Sequence, residues 1–145
     1  MVKKLTRTRQ RRPAAGGGKI KPHEGGELEL MLKGKKPLAR FALEHDAPNA
    51  HAKTEAAFRP HVERGTLQRF QFKGDDFDRI YYCLPTEEWR VKLLELVDKA
   101  LEVGVHSFTI YDLHRLDGTL LGYSKTDIEF FVENWRRHHP DDAES

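Results

Sequence analysis

The placement of the aromatic side chains is the strongest constraint on how this chain can fold. All eight Phe, four Tyr and two Trp lie between Phe41 and Trp135, so the material for a hydrophobic core is confined to that stretch. Residues 1–22 hold eight Lys or Arg and no Asp or Glu, and a glycine run occupies 16–18. A segment with so little to bury is expected to be a flexible basic arm.

This composition predicts three regions. They are a flexible, disordered basic arm over residues 1–26, a single globular domain over 27–137 and a short polar tail over 138–145. The chain carries 25 basic and 23 acidic side chains, so without its arm the domain has a net negative charge. A length of 145 residues suits one domain of modest size.

The hydrophobic patterning predicts an α+β fold, in which a small antiparallel sheet of about three strands packs against several helices. Alternation predicts a strand over 38–43 and a hairpin formed by 66–72 and 78–84. Residues 27–32 alternate as a strand would, but their Glu, Leu and Met favour a short helix.

The next part of the chain is less regular. Residues 45–53 contain Pro48 and Asn49 and are expected to form a loop. A short helix is expected over 56–62, ending at Gly65.

A long helix is predicted after Pro85 and Thr86, where two glutamates suit the positive end of a helix dipole, and Gly104 ends it. Its apolar residues recur at spacings of three and four, which predicts a buried stripe of Trp89, Leu93, Leu96, Val97, Ala100 and Leu101. The predicted core of the whole domain contains Phe70, Phe72, Trp89, Leu93, Ile128 and Phe131.

A final helix is predicted from Ser124, which with Asp127 matches a capping box. Its inner face would be Ile128, Phe131, Val132 and Trp135. Residues 107–122 are ambiguous: their leucines approximate a helical stripe, which we favour, whereas Asp117 and Gly118 suit a hairpin turn.

Asp112 and His114 form the sharpest candidate for chemistry, since carboxylate and imidazole can together hold a divalent ion. A helix would put His114 on one face with Asp117, and a strand would put it on one face with Asp112. A third ligand would have to come from the distant segment of His45, Asp46 and His51. The alternative interpretation is a surface pair or a capping cluster.

Each of the other candidate functional sites also has a structural interpretation or lacks part of the required motif. His45, Asp46 and His51 could form a general base pair, or lie in a solvated loop. Cys83 could be a nucleophile, but its aromatic neighbours suit a small buried residue in a reducing compartment. The glycine run before Lys19 lacks the strand and the hydroxyl of a phosphate-binding loop. The histidines and aspartates near the C-terminus suit adventitious metal binding, at His138, His139, Asp141 and Asp142.

The basic arm is a candidate nucleic-acid contact, because cationic side chains on a flexible segment can neutralise phosphates. The residues expected to carry affinity are Lys3, Lys4, Arg7, Arg9, Arg11 and Arg12. The arm has no aromatic residue for stacking on bases, and it could equally serve solubility or contact an acidic protein.

The sequence therefore favours a non-enzymatic cytoplasmic interaction or regulatory module with an unknown protein partner. The alternatives are a nucleic-acid-binding accessory protein that uses the arm and a metal-assisted enzyme that uses Asp112 and His114. No cofactor is expected. No membrane contact is expected either, because the longest apolar run, Ile80 to Leu84, is far too short to span a bilayer.

Overall fold

The structure is a computed structural model that describes residues 26–140. Within that range it has five α-helices and a three-stranded antiparallel sheet, which confirms the α+β class. In chain order the elements are α1 (Glu27–Leu32), β1 (Leu38–Glu44), α2 (Ala52–Glu63), β2 (Gln68–Phe72), β3 (Phe77–Cys83), α3 (Glu88–Val103), α4 (Ile110–Leu121) and α5 (Lys125–His138). Most of the predicted basic arm lies outside the described residues.

The chain divides into two compact units. Residues 27–91 hold the sheet, α1, α2 and the first turn of α3. The described residues from Lys92 onward hold the rest of α3 with α4 and α5. The single domain over 27–137 stays a prediction.

The central strand of the sheet is β3, which lies between β1 and β2. Ala39 of β1 and Arg69 of β2 are both in register with Tyr82, and Gln71 is in register with Ile80. Because side chains alternate along a strand, these five residues share one face of the sheet. That face packs on α1 and α2 in a core whose buried members are Met31, Ala39, Phe58, Leu67, Ile80 and Tyr82.

The strand and hairpin predictions are confirmed, with ends that shift by one or two residues. The short helix over 27–32 is confirmed as α1, so the strand alternative was wrong. This helix is followed by Gly34, whose φ of 72° lies in the left-handed region that glycine adopts without strain.

The loop predicted over 45–53 is wrong in its second half. Pro48 begins a short 3-10 helix, Pro48–His51, and α2 then starts at Ala52, earlier than the expected helix over 56–62. Proline is well suited to the first position of a helix, because its ring fixes φ and its missing N–H has no partner there in any case. The earlier start brings Glu55 into the first turn of α2.

The buried side of α3 differs from the predicted one. Leu101 is buried as expected, but the other buried residues of this helix are Val91 and Leu94, each 1% exposed. Trp89, Leu93 and Leu96, all predicted to be buried, are 50%, 39% and 63% exposed. The helix therefore has an apolar side that is buried and a second apolar side that faces water.

The predicted core is accordingly confirmed only in part. Ile128 is buried, whereas Phe70, Phe72 and Phe131 are half-buried. Trp89 and Leu93 lie at the surface.

Helices α4 and α5 pack against each other through Ile110, Tyr111, Ile128, Val132 and Trp135, which confirms the predicted inner face of α5. Ser124 caps α5 by accepting a hydrogen bond from the Asp127 backbone N–H. The hairpin alternative for 107–122 was wrong, because Gly118 lies inside α4. A Cβ at Gly118 would come within 2.7 Å of Ile128 Cγ1, so this glycine permits the close approach of the two helices.

Candidate functional site

The predicted metal ligands on α4 have separate roles. Asp112 forms a capping box with Thr109: the Asp112 carboxylate accepts from the Thr109 backbone N–H at 3.0 Å, and the Thr109 hydroxyl accepts from the Asp112 N–H at 3.1 Å. His114 is buried, with its ring centroid 5.0 Å from that of Phe131 and 4.6 Å from that of Trp135. Over residues 26–140, no three His, Cys, Asp or Glu side chains form a group that could hold a metal ion.

The other predicted candidates also have structural partners. Nε2 of His45 lies 2.8 Å from Asp78 Oδ1, so the carboxylate beside this imidazole is Asp78 rather than Asp46. Cys83 is buried, and burial raises the pKa of its thiol to about 11, with Glu88 and Glu87 adding to the effect. A thiol with that pKa has almost no thiolate at neutral pH, which argues against a nucleophile.

The tail and the arm complete the predicted candidates. His139 stacks on Trp135 with ring centroids 3.9 Å apart, and His138 Nδ1 lies 2.8 Å from the Asn134 carbonyl oxygen. Asp141 and Asp142 lie outside the described residues. So do all of the predicted nucleic-acid-binding residues, Lys3, Lys4, Arg7, Arg9, Arg11 and Arg12.

The best organised polar cluster joins α2 to the sheet, and its hub is Glu55. Tyr82 donates its hydroxyl to Glu55 Oε1 at 2.8 Å. The Arg69 guanidinium approaches both carboxylate oxygens, with Nη2 3.2 Å from Oε1 and Nε 3.1 Å from Oε2. His51 completes the hub, with Nε2 3.4 Å from the Tyr82 hydroxyl and 3.6 Å from Glu55 Oε1.

The cluster continues along the same face of the sheet. Arg69 donates to Gln71 Oε1 at 2.8 Å, and Gln71 in turn donates to Asp78 Oδ2 at 2.8 Å. Asp78 also contacts His45 and accepts a long hydrogen bond of 3.4 Å from the Gly74 backbone N–H. We call the chain of hydrogen bonds from His51 to His45 the polar network; its members are His51, Tyr82, Glu55, Arg69, Gln71, Asp78 and His45.

Burial and charge set the protonation states at the hub. Burial alone would raise the pKa of the Glu55 carboxyl, but the Tyr82 hydrogen bond and the Arg69 charge outweigh it and hold that pKa below its ordinary value. Burial, with the hydrogen bond to Glu55, raises the pKa of Tyr82 to about 12. Burial also lowers the pKa of His51, despite the attraction of Glu55. The hub is therefore an ionised carboxylate, a neutral phenol and a neutral imidazole at neutral pH.

These groups satisfy one another. The Glu55 oxygens receive donors from Tyr82 and Arg69, and both Asp78 oxygens lie within hydrogen-bond distance of neighbouring side chains. The Tyr82 side chain is fully buried. Hydrogen bonds of this kind hold α2 against the sheet. Because the polar atoms of the hub are engaged with one another, we expect the hub to stabilise the fold rather than to bind a substrate.

Lys36 is an unusual buried amine on the segment between α1 and β1. Burial lowers its pKa to about 8, and the nearby Glu27 opposes this change. An amine with that pKa is more nucleophilic than an ordinary lysine at neutral pH. The residue is only 2% exposed, however, so a reagent in solution does not reach it.

The most distinctive surface feature is the second apolar side of α3. Leu93, Leu96 and Val103 are 39%, 63% and 56% exposed, and Ala100 between them is partly exposed. We call these four residues the outer stripe. The helix continues the stripe one turn earlier at Trp89, whose ring lies 4.7 Å beneath the Arg90 guanidinium. Exposed apolar side chains that adjoin one another in this way characterise contact surfaces for partners.

The segment after α3 is apolar and exposed as well. Val105 is 74% and Phe108 is 45% exposed. The Phe108 ring stacks on His106 with centroids 6.0 Å apart, and the Phe108 backbone N–H donates to His106 Nδ1 at 3.2 Å. Val105 and Phe108 are therefore two further exposed apolar side chains, close in sequence to the end of α3.

The sequence carries a signal for this surface, although the apolar periodicity of α3 predicts a buried stripe there. Val91, Leu94 and Leu101 supply a buried side to α3 by themselves. The remaining apolar residues form an additional stripe on the same helix, and a helix with two such stripes has more apolar surface than one core contact uses.

Comparison with family models, with curated proteins and with solved structures found no match to this chain. None of the helices described within residues 26–140 combines the length and apolar character needed to cross a bilayer.

Proposed function

We propose that this protein is a non-enzymatic interaction module and that the outer stripe of α3 is the surface on which its partner docks. The observation that carries the proposal is the exposure of Leu93, Leu96 and Val103 on a helix whose other side is already buried. Taking a large apolar side chain from full exposure to full burial contributes about 1.5–3 kcal/mol, and each of these half-exposed side chains has roughly half of that still to gain. A partner that covers the stripe gains this energy without rearranging the core.

The alternatives have less support. Asp112 is engaged in a helix cap and His114 in an aromatic cluster, which disfavours a metal-assisted enzyme built on them. The nucleic-acid hypothesis rests on the basic arm alone and stays a prediction. The cytoplasm is the proposed location, because the single Cys83 is buried and suits a reducing compartment.

Site-specific photocrosslinking tests this proposal. A benzophenone amino acid is placed at Leu96 in the full-length chain, in cells that naturally produce the protein. The matched control carries the same group at Ala57, an exposed position on α2. We expect discrete adducts from position 96 that are absent from position 57 and that weaken when Leu93 is changed to Glu.

Two outcomes are informative. Adducts of equal yield at both positions, or none at either, would contradict an interaction surface on α3. An adduct with the mass of two copies of this chain would support the surface and would identify the occupant as a second copy.

A further inference from the structure

The outer stripe also indicates which kind of partner it fits. Resting on the function proposed above, we infer that its occupant is an amphipathic helix of another protein that carries acidic residues beside its apolar seam. Three features of α3 favour this occupant: the spacing of the stripe residues, their sizes and the lysines at one edge of the stripe.

The spacing favours a helix as the occupant. Leu93, Leu96, Ala100 and Val103 recur at intervals of three and four residues. This is the repeat with which two helices pack side chains along a shared seam. At a rise of about 1.5 Å per residue the seam is about 15 Å long, which matches roughly three turns of a partner helix.

The sizes of the side chains add a detail. Ala100 is the smallest member and lies between Leu96 and Val103, so the surface dips at that point. Helices in contact alternate large and small residues, so that the projections of one fill the recesses of the other. The partner residue opposite Ala100 is therefore a large apolar one, such as Leu or Phe.

The charge beside the stripe determines which amphipathic helices can bind there. At about 100° per residue, Lys92 and Lys99 fall on one edge of α3, directly beside Leu96 and Val103. Both lysines already interact within the chain: Lys92 has a partner, and Lys99 lies 3.7 Å from Glu102. The Lys99 and Glu102 side chains are about two-thirds exposed, and such a pair contributes little, so Lys99 keeps its attraction for a partner carboxylate. A partner carboxylate on that edge would be attracted by both lysines, and a partner lysine would be repelled.

A second copy of the chain fits this edge less well. Two α3 helices in antiparallel contact would bring their rows of Lys92 and Lys99 to the same side of the seam. A parallel contact would place Lys92 near Val97 of the other copy, with no opposite charge to meet it. Neither arrangement gains a complementary charge.

Two designed helical peptides test the inference against the full-length protein. They share a leucine seam with the 3-4 spacing and differ in their flanking residues, which are Glu in the first peptide and Lys in the second. Binding is measured by fluorescence anisotropy of labelled peptide. We expect the Glu peptide to bind at least tenfold more tightly than the Lys peptide, and Leu96→Glu to abolish binding of both.

The basic arm could attract an acidic peptide by itself, so the variants are designed to separate the two sources. Lys92→Glu with Lys99→Glu keeps the arm and should reverse the preference between the peptides. The control double variant, Lys53→Glu with Arg59→Glu, makes the same change in charge on exposed positions of α2 and should leave the preference intact.

Several results would overturn the inference. One is a preference for the Glu peptide that survives the Lys92 and Lys99 changes, because the arm would then be its source. Another is a dimer in sedimentation equilibrium that Leu96→Glu dissociates, which would make a second copy the occupant. If neither peptide binds while Leu96 still crosslinks to a partner, the docking surface stands and the helical occupant is wrong.

Discussion

The polar network and the outer stripe differ in the polarity and the solvent exposure of their side chains. In the network, Glu55, Tyr82 and Arg69 are partly or fully buried, and each one finds its partner within the same chain. In the stripe, Leu96 and Val103 are apolar and more than half exposed. Buried polar groups that form hydrogen bonds with each other stabilise a fold. Exposed apolar groups that lie together mark a surface on which another molecule can bind. The network is thus a part of the molecule that stabilises it, and the stripe is the part that we propose binds a partner.

The largest expected difference lies within α3 itself, between Leu94 and Leu96. Leu94 is 1% exposed and Leu96 is 63% exposed, and both can be changed to Ala with the same effect on helix propensity. We expect Leu94→Ala to lower the free energy of unfolding by about 2–4 kcal/mol and Leu96→Ala to change it by about 0.5 kcal/mol or less. Urea unfolding followed by circular dichroism measures both values. Equal losses at the two positions would mean that Leu96 is covered in solution.

The network is tested at its hub. Glu55→Ala removes the acceptor for Tyr82 and the charge beside Arg69, and we expect a loss of about 1–3 kcal/mol in the free energy of unfolding. Glu63→Ala, at an exposed position of the same helix, is the matched control and should stay within about 0.5 kcal/mol of the native protein. A Glu55 variant as stable as the control would show that the hub is not structural, and it would revive a functional role for this cluster.

Local signals explain how much of the fold could be predicted. Gly104 and Ser124 mark helix ends through their own backbone or side chain, so α3 and α5 could be recognised from short stretches of sequence. Gly118 was ambiguous, because its role depends on the contact with Ile128 of another helix. The beginning of α2 was missed since Pro48 can begin a helix as readily as it can lie in a loop.

The candidate sites could be predicted less well, because they depend on contacts between distant residues. Glu55 meets Tyr82 across 27 residues and His45 meets Asp78 across 33, and neither pair has a sequence signature. The outer stripe could be recognised as an apolar pattern, but periodicity does not distinguish a side that is buried from one that docks a partner. For Asp112, a helix cap was among the alternatives that the sequence left open, and the structure selects it.

A pH dependence distinguishes the network from the stripe, which has no titrating group. Burial lowers the pKa of His51 below its ordinary 6.5, so the unfolded chain takes up this proton first as the pH falls, and stability is lost from about pH 6.5 downward. The carboxyls of Glu55 and Asp78 also have lowered pKa values, and their contribution is present above their ordinary 4.5 and 3.8 and is lost as the pH falls below them.

The variant His51→Phe keeps an aromatic ring beside Phe41 and removes the titrating group. We expect its free energy of unfolding to vary less than that of the native protein between pH 7 and pH 5, with the acid loss below pH 4.5 retained. Urea unfolding at a series of pH values measures both segments. If the free energy of unfolding of the variant fell as steeply as that of the native protein between pH 7 and pH 5, groups other than His51 would cause the pH dependence.

The smallest expected effect concerns Asp112, and it separates a helix cap from a metal ligand. Asp112→Ala removes the carboxylate that accepts the Thr109 N–H, and half of a capping box contributes about 0.5–1 kcal/mol. Ser107→Ala, an exposed change just before the helix, is the control and should have no measurable effect. Thermal melts with added zinc or with EDTA complete the test, because a cap needs no ion. If zinc raised the melting temperature of the native protein and left that of the Asp112 variant unchanged, the carboxylate would be a ligand after all, and the metal-assisted alternative would displace the interaction module.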